Sequence, residues 1–205
     1  NFFTAHISYG TRAPLADQAF IAPRVKNTLV SDLRSERDFS ADISYGWAYR
    51  RFRGALTAYY VNLDNVTERT GFYDDRYSTY AIYALTGVRK VSKGIELGMS
   101  FKITPSLTAT FAGTYAKYQY KNNPQGTRSF ENGLYADTTQ TVYLKNFYVG
   151  STPQTVCNLG LDWAAPGNWF FNVNGTWMGD AYVSLSPAYH EALPELWKNI
   201  ENCTP

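Results

Sequence analysis

The chain has 205 residues, enough for one ordinary domain or for about seven to nine strands with their loops. Nineteen Lys and Arg against 17 Asp and Glu give a net charge of +2, so no electrostatic footprint for a nucleic-acid backbone stands out. Aromatic residues reach 17%, yet no run approaches the roughly 18 consecutive apolar residues of a membrane helix, which excludes a helical membrane protein and leaves open a sheet with one apolar and one wet face.

In chain order, the first strand is predicted over residues 2–10, where Phe3, Ala5, Ile7 and Tyr9 alternate with their neighbours. A long segment from Thr11 to about Ser35 follows. The second strand, 37–50, carries the clearest pattern: Phe39, Ala41, Ile43, Tyr45, Trp47 and Tyr49 alternate with Ser40, Asp42, Ser44, Gly46 and Ala48, which gives one greasy face. A tight turn near Arg51 leads to the third strand, 53–63, with Leu56, Ala58 and Tyr60. The segment from about Asp64 to Ser92 is then expected to be a long loop. The fourth strand, 93–103 (Ile95, Leu97, Met99, Phe101, Ile103), is joined by a Thr104-Pro105-Ser106 turn to the fifth, 107–119 (Leu107, Ala109, Phe111, Tyr115). A third long segment, from about Lys121 to Pro153, precedes the sixth strand, 155–163 (Cys157, Leu159, Leu161, Trp163). A tight turn at Ala165 to Asn168 opens the seventh, 169–180 (Trp169, Phe171, Val173, Gly175, Trp177). Residues 182–205 read as a further external loop with a short helical pattern at Ala192, Leu193, Leu196, Trp197 and Ile200.

Seven strands of about 10 residues, tilted near 40°, each project to about 25 Å, the height of an outer-membrane apolar band. Short turns alternate with long segments, as in barrels with tight periplasmic turns and long external loops. A soluble β-sandwich that binds glycan or protein also alternates, but its strands average about 5 or 6 residues, and tryptophans at strand ends suit interfacial girdles better than a packed core. The reading is therefore all-β: an antiparallel up-and-down transmembrane barrel segment, with residues 1–205 belonging to one barrel domain. An odd number of strands leaves such a sheet open, so the chain is expected to be incomplete, with at least one strand after Pro205.

Three stretches carry a more specific resemblance. YGTRAPLADQAF (Tyr9 to Phe20) resembles the strand and Arg-Ala-Pro loop late in TonB-dependent receptor barrels, and ERDFSADISYGW (Glu36 to Trp47) is similar to the strand that follows it. KGIELGMSFKITPSLTATFAGTY (Lys93 to Tyr115) resembles that family's Lys-Gly-x-Glu hairpin with its Thr-Pro-x-Leu turn, and the tone is that of receptors from the Bacteroidetes. The resemblance implies the C-terminal part of an outer-membrane barrel filled by a plug domain. It also implies TonB as a partner, the lipid bilayer of the outer membrane as surroundings, and active import of a scarce nutrient as function.

The sequence carries no GxSxG, HExxH or phosphate-loop motif, so neither an enzyme nor a cofactor or metal is expected. His6 and His190 are isolated and read as surface or lumen residues. Cys157 and Cys203 have no metal-ligand spacing; a disulfide between them is permitted at a cell surface. Ligand contacts in a transporter come from external loops and lumen-facing residues. Two candidates follow: Tyr73, Asp74, Asp75, Arg76 and Tyr77, which mix aromatic and charged groups, and the strand top at Trp177, Asp180 and Tyr182. An exposed loop without ligand contact explains either group as simply.

Overall fold

The computed structural model describes residues 1–16, 18–23, 27–30, 32–75 and 77–191. Nine antiparallel strands form one sheet: β1 (Phe2–Arg12), β2 (Glu36–Tyr49), β3 (Phe52–Asp74), β4 (Thr79–Lys102), β5 (Leu107–Tyr120), β6 (Gln125–Phe130), β7 (Thr138–Thr141), β8 (Thr155–Ala165) and β9 (Trp169–Gly179). Their spatial order is β1-β2-β3-β4-β5-β8-β9, with β6 paired to β4 and β7 to β6. β1 and β9 are the lateral edges, and the sheet does not close on itself.

Register makes the two faces explicit, because residues directly opposed in an antiparallel pair share a face. Phe3 lies opposite Tyr45, Tyr45 opposite Leu56, Leu56 opposite Leu97 and Leu97 opposite Gly113, which faces Cys157 and then Trp177. The neighbouring row joins Ala5, Ile43, Ala58, Ile95, Tyr115 and Thr155. Every apolar stripe read from the sequence thus falls on one continuous outer face. Ile43, Leu159 and Val173 remain largely exposed there, and no second layer covers them among the described residues. A sandwich requires such a layer; an apolar surface of this extent is stable against acyl chains. From Tyr49 to Phe39 the band spans about 25 Å at the usual rise and tilt.

The inner face is polar and hydrogen-bonded across strands. Ser44 Oγ meets Thr57 Oγ1 at 2.8 Å, Tyr59 and Tyr118 share a hydroxyl contact at 3.0 Å, and Asn158 Nδ2 donates to Thr176 Oγ1 at 2.8 Å. His6 Nδ1 and Asp42 Oδ1 lie 3.2 Å apart on the same face. Phe2, Phe170 and Met178 interrupt this polar pattern.

The inner-face position of Gly94 gives the Lys-Gly-x-Glu stretch a physical meaning. A Cβ there would stand 2.8 Å from the Tyr115 carbonyl oxygen and 2.9 Å from both Ala116 Cβ and the Tyr59 hydroxyl. Backbone cannot retreat as a side-chain tip can. Gly94→Ala is therefore expected to cost about 1–3 kcal/mol, read as a lower denaturant midpoint, whereas Gly98→Ala meets open space and is expected to be near neutral.

Two expectations are corrected. The third and fourth strands do not stop at residue 63 or start at 93, and the segment from Asp64 to Ser92 is not a loop: β3 continues to Asp74 and β4 begins at Thr79, so the pair rises as a long hairpin. Register shifts between Leu63 and Glu68, with Asn65 at φ 57°, and Gly87 at φ 67° bend the hairpin where it leaves the band. At that bend β4 exchanges partners, pairing β5 below (Lys90 to Lys102) and β6 above (Ala81 to Thr86). Among the described residues there are nine strands where seven were expected, because β6 and β7 lie within the segment expected as a loop from Lys121 to Pro153.

Chain packs on both faces of this upper sheet. Tyr83, Leu85 and Val88 are buried with Val142 and Leu144 on one side, while Ala84 packs with Ile21 and Val30 on the other. Each fully buried side chain of this size contributes about 1.5–3 kcal/mol. Between residues 182 and 191 only a single 3-10 turn, Pro187–Tyr189, is regular; the predicted helical pattern from Ala192 lies outside the described residues, as does Cys203, whose disulfide to Cys157 the sequence merely permits.

Candidate functional site

Where the inner face rises above the apolar band, it encloses a cavity of about 610 Å³. Its walls come from the tops of β1 and β2 (Arg12, Glu36), the bend of the long hairpin (Glu68, Lys90) and the top of β5 (Tyr120), and residues 184–187 close one side. Even-numbered positions of β1, β2 and β4 point inward, which is why Arg12, Glu36 and Lys90 converge here. Arg12 donates from Nε and Nη2 to Glu36 Oε2 at 2.9 and 2.5 Å. Lys90 pairs with Glu68, and the Tyr120 hydroxyl donates to Glu68 Oε2 at 3.1 Å. The Lys90 ammonium also stands 5.1 Å from the Tyr120 ring centre. Burial, then the Glu68 charge, pushes the Tyr120 hydroxyl well above its ordinary range, so it stays a donor at any physiological pH. The lining therefore offers fixed donors and acceptors with its charges internally matched, beside apolar Val66, Leu85, Leu144 and Leu185.

A second cavity, of about 280 Å³, opens at the hairpin tip between Phe72, Tyr73, Asp74, Asp75, Arg128 and residues 186–191. Arg128, on β6, is its organising group. Its Nη1 lies 3.6 Å from both Asp74 Oδ2 and Glu191 Oε1, and its guanidinium sits 5.7 and 5.3 Å from the ring centres of Tyr77 and Phe130. Tyr77, Phe130 and Tyr135 pack edge to face around it, at 4.6–5.3 Å.

Residues 181–191 form a strap over both cavities. Ser151 N donates to Tyr182 O at 3.0 Å, Ser151 Oγ meets Ser184 Oγ at 2.8 Å, and Tyr143 N donates to His190 O at 2.9 Å. The His190 ring packs edge-on against Phe147 at 5.1 Å and is buried, so of the expected surface or lumen positions the exposed one is corrected. Burial holds its pKa below the ordinary value near 6.5, because the imidazolium would lose water there. A depressed histidine stabilises the strap fully above the unfolded pKa, about 6.5, and that stabilisation is lost as pH falls below it. Protection factors for hydrogen exchange in residues 182–191, corrected for the intrinsic rate at each pH, are accordingly expected to fall as pH drops from 7.5 to 5.5, and His190→Gln to flatten that dependence.

Of the predicted residues, Tyr73, Asp74 and Asp75 line the smaller cavity and Tyr77 holds Arg128 beside it; Arg76 lies outside the described residues. The second group is not brought to either cavity. Trp177 faces outward opposite Cys157, Asp180 ends β9 by accepting from Thr155 Oγ1 at 3.2 Å, and Tyr182 stacks on Tyr148 at 4.3 Å. Arg12, Glu36, Glu68, Lys90, Tyr120 and Arg128 were missing from the sequence-based set. Arg12 and Glu36 could have been found by extending the inward parity of β1 and β2; Glu68, Lys90 and Arg128 lay in segments read as loops.

The family described as "TonB dependent receptor-like, beta-barrel" matches residues 2–194. No curated protein and no solved structure is matched. That match spans nearly the whole chain, and the antiparallel sheet, apolar outside and polar inside, has the physical character the family requires; the chain belongs to the TonB-dependent receptor β-barrel family of the outer membrane.

Proposed function

We infer that this chain takes part in TonB-dependent transport across the outer membrane, with a plug domain and TonB as partners, as its family membership supports. We propose that this chain supplies barrel wall and external recognition surface for active import of a scarce nutrient, and that residues 1–205 are part of one barrel domain completed by further strands at the β1 and β9 edges. An unpaired edge in hydrocarbon leaves each backbone donor and acceptor without a partner, at several kcal/mol apiece. The observation that carries the reading is the cavity of about 610 Å³ on the polar face, just above the level of the apolar outer band. In this reading the nutrient first contacts Tyr73, Asp74 and Asp75 at the hairpin tip and then enters the cavity between Arg12 and Lys90. A force transmitted through TonB to the plug opens the route below.

Uptake assays on cells carrying this receptor alone, with ferric chelates, cobalamin, oligosaccharides and peptides as candidates, test the proposal. One of these is expected to enter only when TonB is present. Entry that continues without TonB, or no loss of entry on deleting the receptor, overturns it.

A further inference from the structure

We propose that Asn132 is a site of spontaneous covalent modification: its side-chain amide closes on the backbone nitrogen of Gly133, and water then opens the ring to aspartate or isoaspartate. The sequence holds two Asn-Gly pairs, Asn132-Gly133 and Asn174-Gly175. A glycine after asparagine leaves the attacking nitrogen unshielded, because no Cβ stands beside it. Both pairs meet that condition, and the fold treats them differently.

Asn132 and Gly133 lie in the exposed turn that follows β6, and Asn132 Oδ1 accepts from Leu134 N at 3.1 Å. The ring closed by that bond encloses the Gly133 nitrogen, so Cγ is held near the atom that attacks it. The same Leu134 N–H polarises the Cγ carbonyl and meets the oxyanion that develops during attack. Gly133 takes φ 66°, its own N–H donates to Phe130 O at a long 3.3 Å, and a Cβ there would meet nothing within 4 Å. Asn174, by contrast, sits in the middle of β9, with Asn174 opposite Gly160 and Gly175 opposite Leu159. Its Nδ2 donates to Asn172 Oδ1, which turns the amide away from Gly175. Attack at Asn174 must wait for β8 and β9 to part, and paired strands open far more rarely than an exposed turn.

Water is the only co-reactant. The bond from Gly133 N to Asn132 Cγ forms as the bond from Cγ to Nδ2 breaks, and the side-chain nitrogen leaves as ammonia with the proton that Gly133 N gives up. Water adding at Cγ of the cyclic imide yields aspartate; water adding at the main-chain carbonyl yields isoaspartate, whose backbone runs through Cγ. Isoaspartate thus inserts a methylene and frees a carboxylate in the segment between Phe130 and Tyr135. Those two rings pack on Tyr77 at 4.7 and 4.6 Å, and Tyr77 faces Arg128 beside the smaller cavity. A longer connection spreads the rings and loosens that corner of the surface. The site is independent of the transported nutrient.

Incubation of the intact protein in detergent micelles, in mildly alkaline buffer, tests it, with both Asn-Gly peptides followed by mass spectrometry and electron-transfer fragmentation separating isoaspartate from aspartate. Residue 132 is expected to convert about a hundredfold faster than residue 174, with isoaspartate among its products. In denaturant the two rates are expected to come within about fivefold of each other, since the sheet no longer protects Asn174. Asn132→Gln, whose longer side chain must close a larger ring, is expected to stay unmodified. No conversion at residue 132, or equal rates at 132 and 174 in the folded protein, overturns the site, and aspartate without isoaspartate overturns the cyclic route. The isoaspartate form is expected to exchange amide hydrogens faster in residues 125–130; unchanged exchange there overturns the effect on the aromatic cluster.

Discussion

Val173→Arg is expected to destabilise the folded barrel by about 2–4 kcal/mol, while Asn172→Arg, one residue away, is expected to change it by less than about 0.5 kcal/mol. Val173 lies opposite Leu161 at the middle of the outward row of β9, where an arginine must be carried into the apolar band. Asn172 faces the other way and contacts Asp162, so an arginine there gains a carboxylate partner in water. Reversible denaturant unfolding in lipid vesicles, followed by tryptophan fluorescence, measures both. Equal effects at the two positions would mean that the two faces do not see different solvents.

Arg128→Ala is expected to cost the upper subdomain about 3–5 kcal/mol. The side chain is only 13% exposed and stands between Asp74 and Glu191, which are 9% and 20% exposed. Its removal takes from Asp74 and Glu191 the cation they share and from the Tyr77 and Phe130 rings the guanidinium beside them. Because these contacts link β3, β6 and the strap, the loss is expected as faster hydrogen exchange in residues 125–130 and 182–191 with little change in β5 or β8. Arg128→Lys keeps the charge but loses the forked guanidinium that reaches both carboxylates and both rings, so an intermediate loss is expected.

What was legible in the sequence depended on solvent. Where one face meets lipid and the other water, as along Phe39 to Tyr49 or Trp169 to Trp177, alternation is strict and the strands can be read directly. Above the band that contrast disappears. Ala81, Tyr83, Ala84 and Leu85 are buried on both faces of the upper hairpin, so the stretch from Asp64 to Ser92 shows no period of two although it is strand nearly throughout. Short β6 and β7 carry too few residues for any period. The candidate site suffered for the same reason: Tyr73, Asp74 and Asp75 stood out by composition, whereas Glu68, Lys90 and Arg128 become visible only once the hairpin, its bend and the strap are assembled. Trp177 stands on the outward face opposite Cys157, and a tryptophan near a strand end also serves the interface with lipid.

Consecutive residues of one strand face lipid and water in turn. A nitroxide scan along residues 169–179, with Cys157 and Cys203 replaced by serine and the protein in lipid vesicles, measures this directly through collisions with oxygen and with a water-soluble nickel chelate. Labels at 169, 171, 173, 175 and 177 are expected to favour oxygen, and those at 170, 172, 174, 176 and 178 the chelate. Labels at the odd positions that collide with neither reagent would place those side chains in a dry protein core and not against lipid.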